Sequence, residues 1–459
     1  MFGCLFWCDL DWFGIEEETS GSFLVIVEIV DSTIRPRRTR MKECTPVGLP
    51  KSEKRLRELG MLAIDLKGLS QRLRELPDQR GDRGKRYELA SLLLLVILAK
   101  LSGKDTPVEI ADWVRFRASW LFERLGLPWP SSPHHNTFRR VLAFAFDSSK
   151  LDRLVSQHLT ALAGSAKEGR SGTGEKLVDR LIAFDGKTIR GTISKDNPRG
   201  DHLLAAYLVE TGAVIAQVRV ESKQNEITAA PRLLELIDQS GVGLKGKILI
   251  GDAIHTQRKL SQMISQSGGD FVFTAKGNQP DLKSAIRDLF EIAPTTVLGG
   301  KIRQDFQSFE QIGKAHGRLE KRRITVSSEL SGYSSWPGLR QVFRLERERT
   351  QLVSGRLTRE VIYGITSLGK KEASPRELLE LVRSYWRIEN CLHYCRDKTF
   401  KEDATRGTIG RLGHSLASIN NLAIGLLRAS GFTNIKKARR TFDGLLNQTN
   451  HLALEPILT

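Results

Sequence analysis

Three acidic residues stand where a chain of alternating strands and helices would gather them. Asp185 closes an apolar run in Ala183-Phe184-Asp185-Gly186-Lys187, and Asp252 closes another in Leu249-Ile250-Gly251-Asp252-Ala253. Glu389 lies in an aromatic-rich helical stretch, Tyr385-Trp386-Arg387-Ile388-Glu389-Asn390. In open α/β sheets, sites form outside the carboxyl ends of the strands, so two aspartates ending neighbouring strands can share metal ions there. Carboxylate oxygens are hard ligands, which makes Mg2+ or Mn2+ the expected occupant rather than zinc. Two such ions about 3.5 to 4 Å apart would stabilise the attacking and leaving oxygens of an in-line phosphoryl displacement, with a third carboxylate supplied by another element. Each acid also has a plainer use. Asp185-Gly186 suits a hairpin turn, Asp252 suits a strand-end turn that caps a helix, and Glu389 suits a solvated helix surface beside Arg387. Asp397, Glu402 and Asp403 are rival candidates for the third ligand.

The elements that must position these acids are legible as texture. Leu181 to Phe184, Leu203 to Leu208 and Val214 to Val220 are three short β-like runs joined by brief polar turns. A helical stretch (229–236), a strand (247–250), a helix (260–267) and a strand (271–274) follow, and a helical pattern then returns only at Pro375 to Tyr394. A three-strand meander followed by alternating helix and strand predicts an α/β fold around a mixed sheet. Between them, 295–370 is β-leaning and basic, with runs at 302–306, 323–326, 342–345 and 361–366; residues 301–360 hold 13 bases and 7 acids. Upstream, apolar residues recur at helical period from Arg55 to about Asp147. Within that stretch, Asn136 or Thr137 is a candidate cap for a helix carrying Arg139 and Arg140 in its first turn. That pair suits either DNA phosphate or a solvated basic face. The expected organisation is therefore an atypical extension (1–54), a helical domain (55–162), a Gly/Ser/Lys linker (163–178), the first part of the core (179–294), a mostly β insertion (295–370) and a C-terminal helical part (371–459).

Composition narrows the class. The 459 residues carry 71 Lys plus Arg against 53 Asp plus Glu, a net charge of +18, with ordinary hydrophobic content. Residues 1–34 hold seven acids and no base, so the remainder carries +25. Such an excess calls for an acidic partner. Met41, just after the cluster Arg35, Arg37, Arg38 and Arg40, is a candidate for the natural start. No apolar run approaches the roughly 20 residues that span a bilayer, so no membrane association is expected. The acidic N-terminus is the reverse of an export signal. Five cysteines without framework spacing point to a reducing, cytoplasmic setting. Cys391 and Cys395, four apart with His393 between them, share a helix face, but zinc needs four ligands or three and a water, and no second pair lies near.

Six successive segments then become specific: Ala183 to Gly191, Lys223-Gln224-Asn225-Glu226-Ile227, Asp252-Ala253-Ile254-His255-Thr256-Gln257, Lys276-Gly277-Asn278-Gln279, His316-Gly317-Arg318-Leu319-Glu320 and Trp386-Arg387-Ile388-Glu389-Asn390. In this order they resemble the motifs of insertion-sequence transposases of the H-repeat-associated group, a DDE family with an RNase H-like catalytic core. The resemblance covers roughly 65–445. Tyr385 and Tyr394 depart from the family's pattern, which has His and Trp there.

The resemblance implies that Asp185, Asp252 and Glu389 form a catalytic triad holding Mg2+ or Mn2+, as two ions. It also implies hydrolysis at the element ends, followed by joining of the freed 3′-hydroxyls to target DNA. The implied partners are double-stranded DNA with terminal inverted repeats, target DNA, and a second copy in a synaptic homodimer. An end-binding relative without cleavage, and a nuclease without strand transfer, are the alternatives. Around the triad, Lys187, Arg190, Lys223, Asn225, Lys276, Asn278 and Arg318 are candidate DNA contacts, as are Trp386 and Arg387, whose aromatic and basic pairing suits stacking and phosphate. His255 and Gln257 are further candidates.

Overall fold

The computed structural model describes residues 25–27, 62–165, 176–221, 224–292, 305–315, 317–332, 335–447 and 452–453. The expected N-terminal extension, most of the linker, Lys223 and His316 lie outside them. The chain divides into two compact units. One comprises the described residues up to Phe138, those from 162 to 165 and those from 430 onward; the other comprises 139–161 and 176–429.

The first unit is helical, with α1 (Leu66–Arg74), α2 (Leu89–Leu101), α3 (Pro107–Phe116), α4 (Ala118–Arg124) and, from the C-terminal part, α12 (Ile435–Asn447). Every residue of α2 is buried, so it forms this unit's centre. Its one charge, Lys100, is matched by Asp105, which also takes Arg439 of α12 at 2.6 Å. Helix α3 begins with a capping box in which Thr106 and Glu109 satisfy each other's backbone N–H. The strands 25–27, 62–64 and 452–453 pair in a small antiparallel sheet.

The second unit is built on a nine-stranded sheet. Its strands are β1 (Leu181–Ile189), β2 (Asp201–Leu208), β3 (Ala213–Val220), β4 (Ile248–Gly251), β5 (Asp270–Ala275), β6 (Gln307–Ala315), β7 (Arg318–Ser327), β8 (Gln341–Gln351) and β9 (Leu357–Thr366), in the order β3-β2-β1-β4-β5-β9-β8-β7-β6. β1, β2 and β3 form the antiparallel meander; β4 and β5 run parallel to β1. That five-strand order is RNase H-like, as expected. The basic β segment is a four-strand antiparallel ribbon that continues the same sheet, because β9 pairs with β5 from Tyr363↔Ala275 to Thr366↔Val272.

Helices α7 (Glu226–Gln239), α8 (Arg258–Gln266) and α9 (Pro280–Ile292) connect the strands. α9 was not expected from the sequence, yet Leu282, Ile286, Leu289 and Phe290 are buried at helical spacing. The core formed by Phe184, Leu204, Leu249, Phe271, Phe273, Ile237, Ile264 and Ile286 explains why the central strands read as continuous apolar runs. Helices α5 (His135–Phe144) and α6 (Ser148–Ser165) precede the sheet in the chain, while α10 (Pro375–Ser384) and α11 (Leu412–Ala429) follow it. Buried Asp152 of α6 joins β3 and α11, accepting from Gln217 at 2.9 Å and pairing with His414 at 2.6 Å.

Candidate metal centre and nucleic-acid interface

The sheet's register places the two aspartates. β1 pairs with β4 from Leu181↔Ile248 to Phe184↔Gly251 and no further, so Asp185 and Asp252 are the next residues on two strands that part. Asp185 does not end its strand. β1 runs on to Ile189 against β2, with Asp185 opposite Ala205, and Asp185-Gly186 is therefore not a hairpin turn. Asp252 precedes a single tight turn, Ala253–His255, and makes no side-chain cap.

The late helix supplies the rest. After α10 the backbone continues through Tyr385 and widens into π-helical winding over Ile388–His393 and again over Cys395–Thr399. Such wide turns are uncommon and concentrate at functional sites. Ligand atoms of Asp185, Glu389 and His393 all lie within 4.8 Å of one another, the one such group among the described residues. The His393 Nδ1 to Asp185 Oδ2 distance is 3.5 Å. Asp252 stands outside this trio, half exposed, with Lys276 Nζ at 3.3 Å.

The electrostatics are those of a crowded anionic pocket. Burial pushes the Asp185 carboxyl up to about 7; Glu226 and, more weakly, Glu389 push the same way, while the Gly186 N–H and the Tyr385 hydroxyl pull down. The Tyr385 hydroxyl, raised by burial and by Asp185 and Asp252, stays protonated and donates to Asp185. Burial, then Arg396 and Lys187, depress His393 to about 3, so its imidazole is neutral at physiological pH. Two carboxylates, with more negative charge behind them, are hard oxygen donors that suit Mg2+ or Mn2+, and the imidazole beside them offers a neutral nitrogen.

The surrounding polar residues are placed as follows. Asn278 Nδ2 donates to the Ala253 carbonyl at 2.6 Å, Gln279 to the Thr256 carbonyl at 2.9 Å, and Gln257 to the Ile254 carbonyl at 3.1 Å. These amides fasten the turn after Asp252. Asn225 caps α7 through the Thr228 N–H. Lys187 is buried and pairs with Asp397 at 2.6 Å and Asp403 at 3.2 Å. Arg190 is exposed, and its backbone N–H donates to Asp403. Arg318, Arg387, Arg139 and Arg140 are exposed, as is Trp386. His255 is fully buried.

The rival acids are occupied elsewhere. Glu402 is buried and takes a bidentate bond from the fully buried Arg396, with Asn420 Nδ2 at 2.9 Å. Asp397 and Asp403 hold Lys187. Sequence reasoning missed His393 and Tyr385. His393 was weighed only with Cys391 and Cys395, which are free thiols; its usable signal was the four-residue step from Glu389.

A 3-2-1-4-5 sheet with acids where strands one and four part, and another on a late helix, defines an RNase H-like core of the kind that acts on nucleic-acid phosphates. Residues 176–416 match the family model described as Transposase DDE domain, and 70–159 match the one described as DDE_Tnp_1-associated. The chain belongs to this DDE transposase family. It is 30% identical over 363 residues to "Putative transposase YncI" of Escherichia coli O157:H7, covering 77% of this chain and 85% of that one. It is 27% identical over 371 residues to "H repeat-associated putative transposase YhhI" of Escherichia coli strain K12, covering 79% and 91%. Among solved structures, a cryo-EM structure of a piggyBac transposase synaptic complex with hairpin DNA is similar at 10% identity and a TM-score of 0.35, covering 83% and 79%. The family makes the protein a DNA transposase, and no helix among the described residues is long and apolar enough to cross a membrane.

Proposed function

We propose that this transposase cuts the ends of an insertion sequence by phosphodiester hydrolysis and joins the resulting 3′-hydroxyls to target DNA. The observation that carries the reading is the meeting of Asp185 and Glu389 at the point where β1 and β4 part, with Asp252 on the adjoining strand end. Asp185, Asp252 and Glu389 would hold Mg2+ or Mn2+, as two ions. When bound, such ions polarise the phosphoryl oxygens and lower the pKa of water. In the first step a water oxygen attacks the phosphorus and the 3′-oxygen leaves, taking a proton to become a hydroxyl. In the second, that hydroxyl gives up its proton as its oxygen bonds to a target phosphorus, and the target's own 3′-oxygen leaves and takes up a proton. No covalent link to the protein is needed.

The chain's own side chains set the geometry. Asp185 is fixed by the strand and by the Tyr385 hydroxyl, and Asp252 by the amides of Asn278 and Gln279 acting on its turn. His393 presents a neutral nitrogen to the same space. Arg387, Trp386, Arg190 and Arg318 are exposed and would meet phosphate and an unpaired base, and Lys276 would release Asp252 to do the same. Lys223, Asn225, Arg139 and Arg140 are weaker candidates. Lys187 instead acts within the fold through Asp397 and Asp403. The substrate is duplex DNA with terminal inverted repeats, bound by a homodimer in the cytoplasm. The helical unit (62–138 with 430–447) and the core unit (139–161 and 176–429), which carries the β ribbon, would serve one DNA-processing protein.

Asp185→Ala, Asp252→Ala and Glu389→Ala should each abolish Mg2+-dependent end cleavage while end binding by gel shift persists. Retained cleavage in Asp185→Ala refutes the assignment. Cleavage by the unaltered protein without joined products on a supercoiled target would make it a nuclease only.

A further inference from the structure

Behind the aspartates lies a hydrogen-bonded chain that the triad does not use. Glu226, the first residue of α7, turns its carboxylate back over the sheet edge. Its Oε1 accepts from His202 Nε2 at 2.9 Å and its Oε2 from His255 Nε2 at 3.0 Å. An ionised carboxylate only accepts, so both imidazoles carry their proton on Nε2. His202, on β2 directly opposite Thr188, then takes the Thr188 hydroxyl on Nδ1 at 2.8 Å. His255 ends the turn after Asp252 and packs edge-on against Phe184, the residue before Asp185, at 4.6 Å between ring centres. One carboxylate thus ties the strand that carries Asp185 to the turn that follows Asp252.

The two glycines beside the aspartates fit this chain. A Cβ on Gly186 would overlap Glu226 Oε1 and His202 Nε2; a Cβ on Gly251 would press on the Phe184 ring and on His255. Neither glycine has a positive φ, so what each supplies is room. The pairs Asp185-Gly186 and Gly251-Asp252 are therefore side-chain-free slots through which the brace reaches both acids.

We propose that Glu226, held by His202 and His255, is a positioning residue that sets the spacing of Asp185 and Asp252 for a divalent cation. This rests on the reading of those aspartates as metal ligands. Glu226 is ionised, since its two imidazole donors outweigh the effect of burial and bring its carboxyl down to about 2. It thereby also adds negative charge behind Asp185, which favours a cation in front of it. Partners that orient ligands in this way typically contribute 10- to 100-fold to metal affinity.

The test uses the full chain and Mn2+, first without DNA. Calorimetric titration and the Mn2+-induced rise in melting temperature should show Glu226→Gln binding Mn2+ about 10- to 100-fold more weakly than the unaltered protein. Its melting temperature in EDTA should stay close to normal, because Gln keeps the shape. End cleavage by Glu226→Gln should be low at ordinary Mn2+ and recover as Mn2+ is raised, with end binding by gel shift unchanged. His202→Gln, which removes one arm only, should show a smaller shift in the same direction and serves if Glu226→Gln does not fold. Gly186→Ala should reproduce the weakened binding, and combining it with Glu226→Ala, which removes the overlap with the carboxylate and leaves only that with His202, should cost less than the two changes summed. Normal Mn2+ affinity in folded Glu226→Gln or His202→Gln overturns the proposal. Asp185→Asn separates the two levels: normal Mn2+ affinity in that protein overturns the metal-site reading itself.

Discussion

Replacing Glu402 by Gln discriminates between acids that lie within fourteen residues of one another in the chain. The Glu402 side chain is 2% exposed and that of Arg396 0%. Arg396 Nη2 donates to Oε1 at 2.8 Å, its Nε lies 2.9 Å from Oε2, and Asn420 donates a further bond. Removing the charge leaves a guanidinium buried without a counter-ion, which typically costs about 3–5 kcal/mol. In a domain of a few hundred residues each kcal/mol moves the melting temperature by about 2–4 °C, so a fall of roughly 6–20 °C is expected. Glu389→Gln should behave in the opposite way. Its side chain is exposed and faces like charge, so the melting temperature in EDTA should move by no more than about 2 °C, while Mg2+-dependent end cleavage is lost. Circular-dichroism melts of both proteins in EDTA, with cleavage assays on the same preparations, read the contrast. A Glu402→Gln protein that melts normally but does not cleave, beside a Glu389→Gln protein that cleaves, would make Glu402 the third ligand and refute the reasoning.

Two further outcomes follow from named groups. Because Asp185 is raised from an ordinary 3.8 to about 7, the folded protein binds this proton more tightly than the unfolded chain does. The stability it contributes is therefore full below about pH 4 and is lost as pH rises through about 7. In EDTA, Asp185→Asn should gain on the unaltered protein across that window by something on the order of 4 kcal/mol; a difference independent of pH rules out the shift. Arg387→Ala should reduce the slope of log affinity against log salt for duplex ends by about 0.9. Lys187→Met should leave that slope unchanged and lower the melting temperature instead, because its ammonium is matched by Asp397 and Asp403. Fluorescence anisotropy over a range of salt decides, and a reduced slope in Lys187→Met would return that lysine to the DNA interface.

The sheet's centre was legible because its strands are buried on both faces. Leu181 to Phe184 and Phe271 to Phe273 are unbroken apolar runs for that reason. The ribbon was legible only in part. β8 and β9 pair over ten residues, from Gln341↔Thr366 to Thr350↔Leu357, although their apolar stretches are half as long. Beyond those stretches the strands carry alternating charges that match across the ladder, as in Arg349 with Glu320 on β7 and Arg347 with Glu360 on β9. Hydrophobic pattern cannot report strands held this way. The strand expected at 302–306 lies mostly outside the described residues, and the described strand begins at Gln307. At the site, Asp185 and Asp252 announced themselves by ending apolar runs. Tyr385 and His393 did not, because neither ends an apolar run, and His393 is placed by the π-helical winding over Ile388–His393. The bond from His202 through Glu226 to His255 joins three elements across more than fifty residues, a relation that local spacing cannot carry.

What separates the acids proposed to hold metal from the others is the cation beside them rather than their residue type. Glu402 has Arg396, and Asp397 and Asp403 share Lys187, and both cations are buried against those acids. Among the strongest influences on Asp185 there is no Lys or Arg, only burial, two glutamates, a tyrosine and a backbone N–H. Asp252 does have Lys276, but both side chains are at least half exposed, and an ion pair of that kind contributes about 0–1 kcal/mol, little enough for an entering ion to displace. A chain with a net charge of +18 therefore leaves the carboxylates of its one metal-type cluster among the described residues without a paired Lys or Arg. A DNA phosphate drawn in by the basic surface would meet repulsion there unless a divalent cation arrived first. On that ground DNA-end cleavage should show an ordered requirement. Protein preloaded with Mn2+ should cleave without a lag on mixing with DNA, and protein preloaded with DNA should lag when Mn2+ is added; equal time courses in a rapid-mixing experiment would show that the uncompensated charge does not set the order.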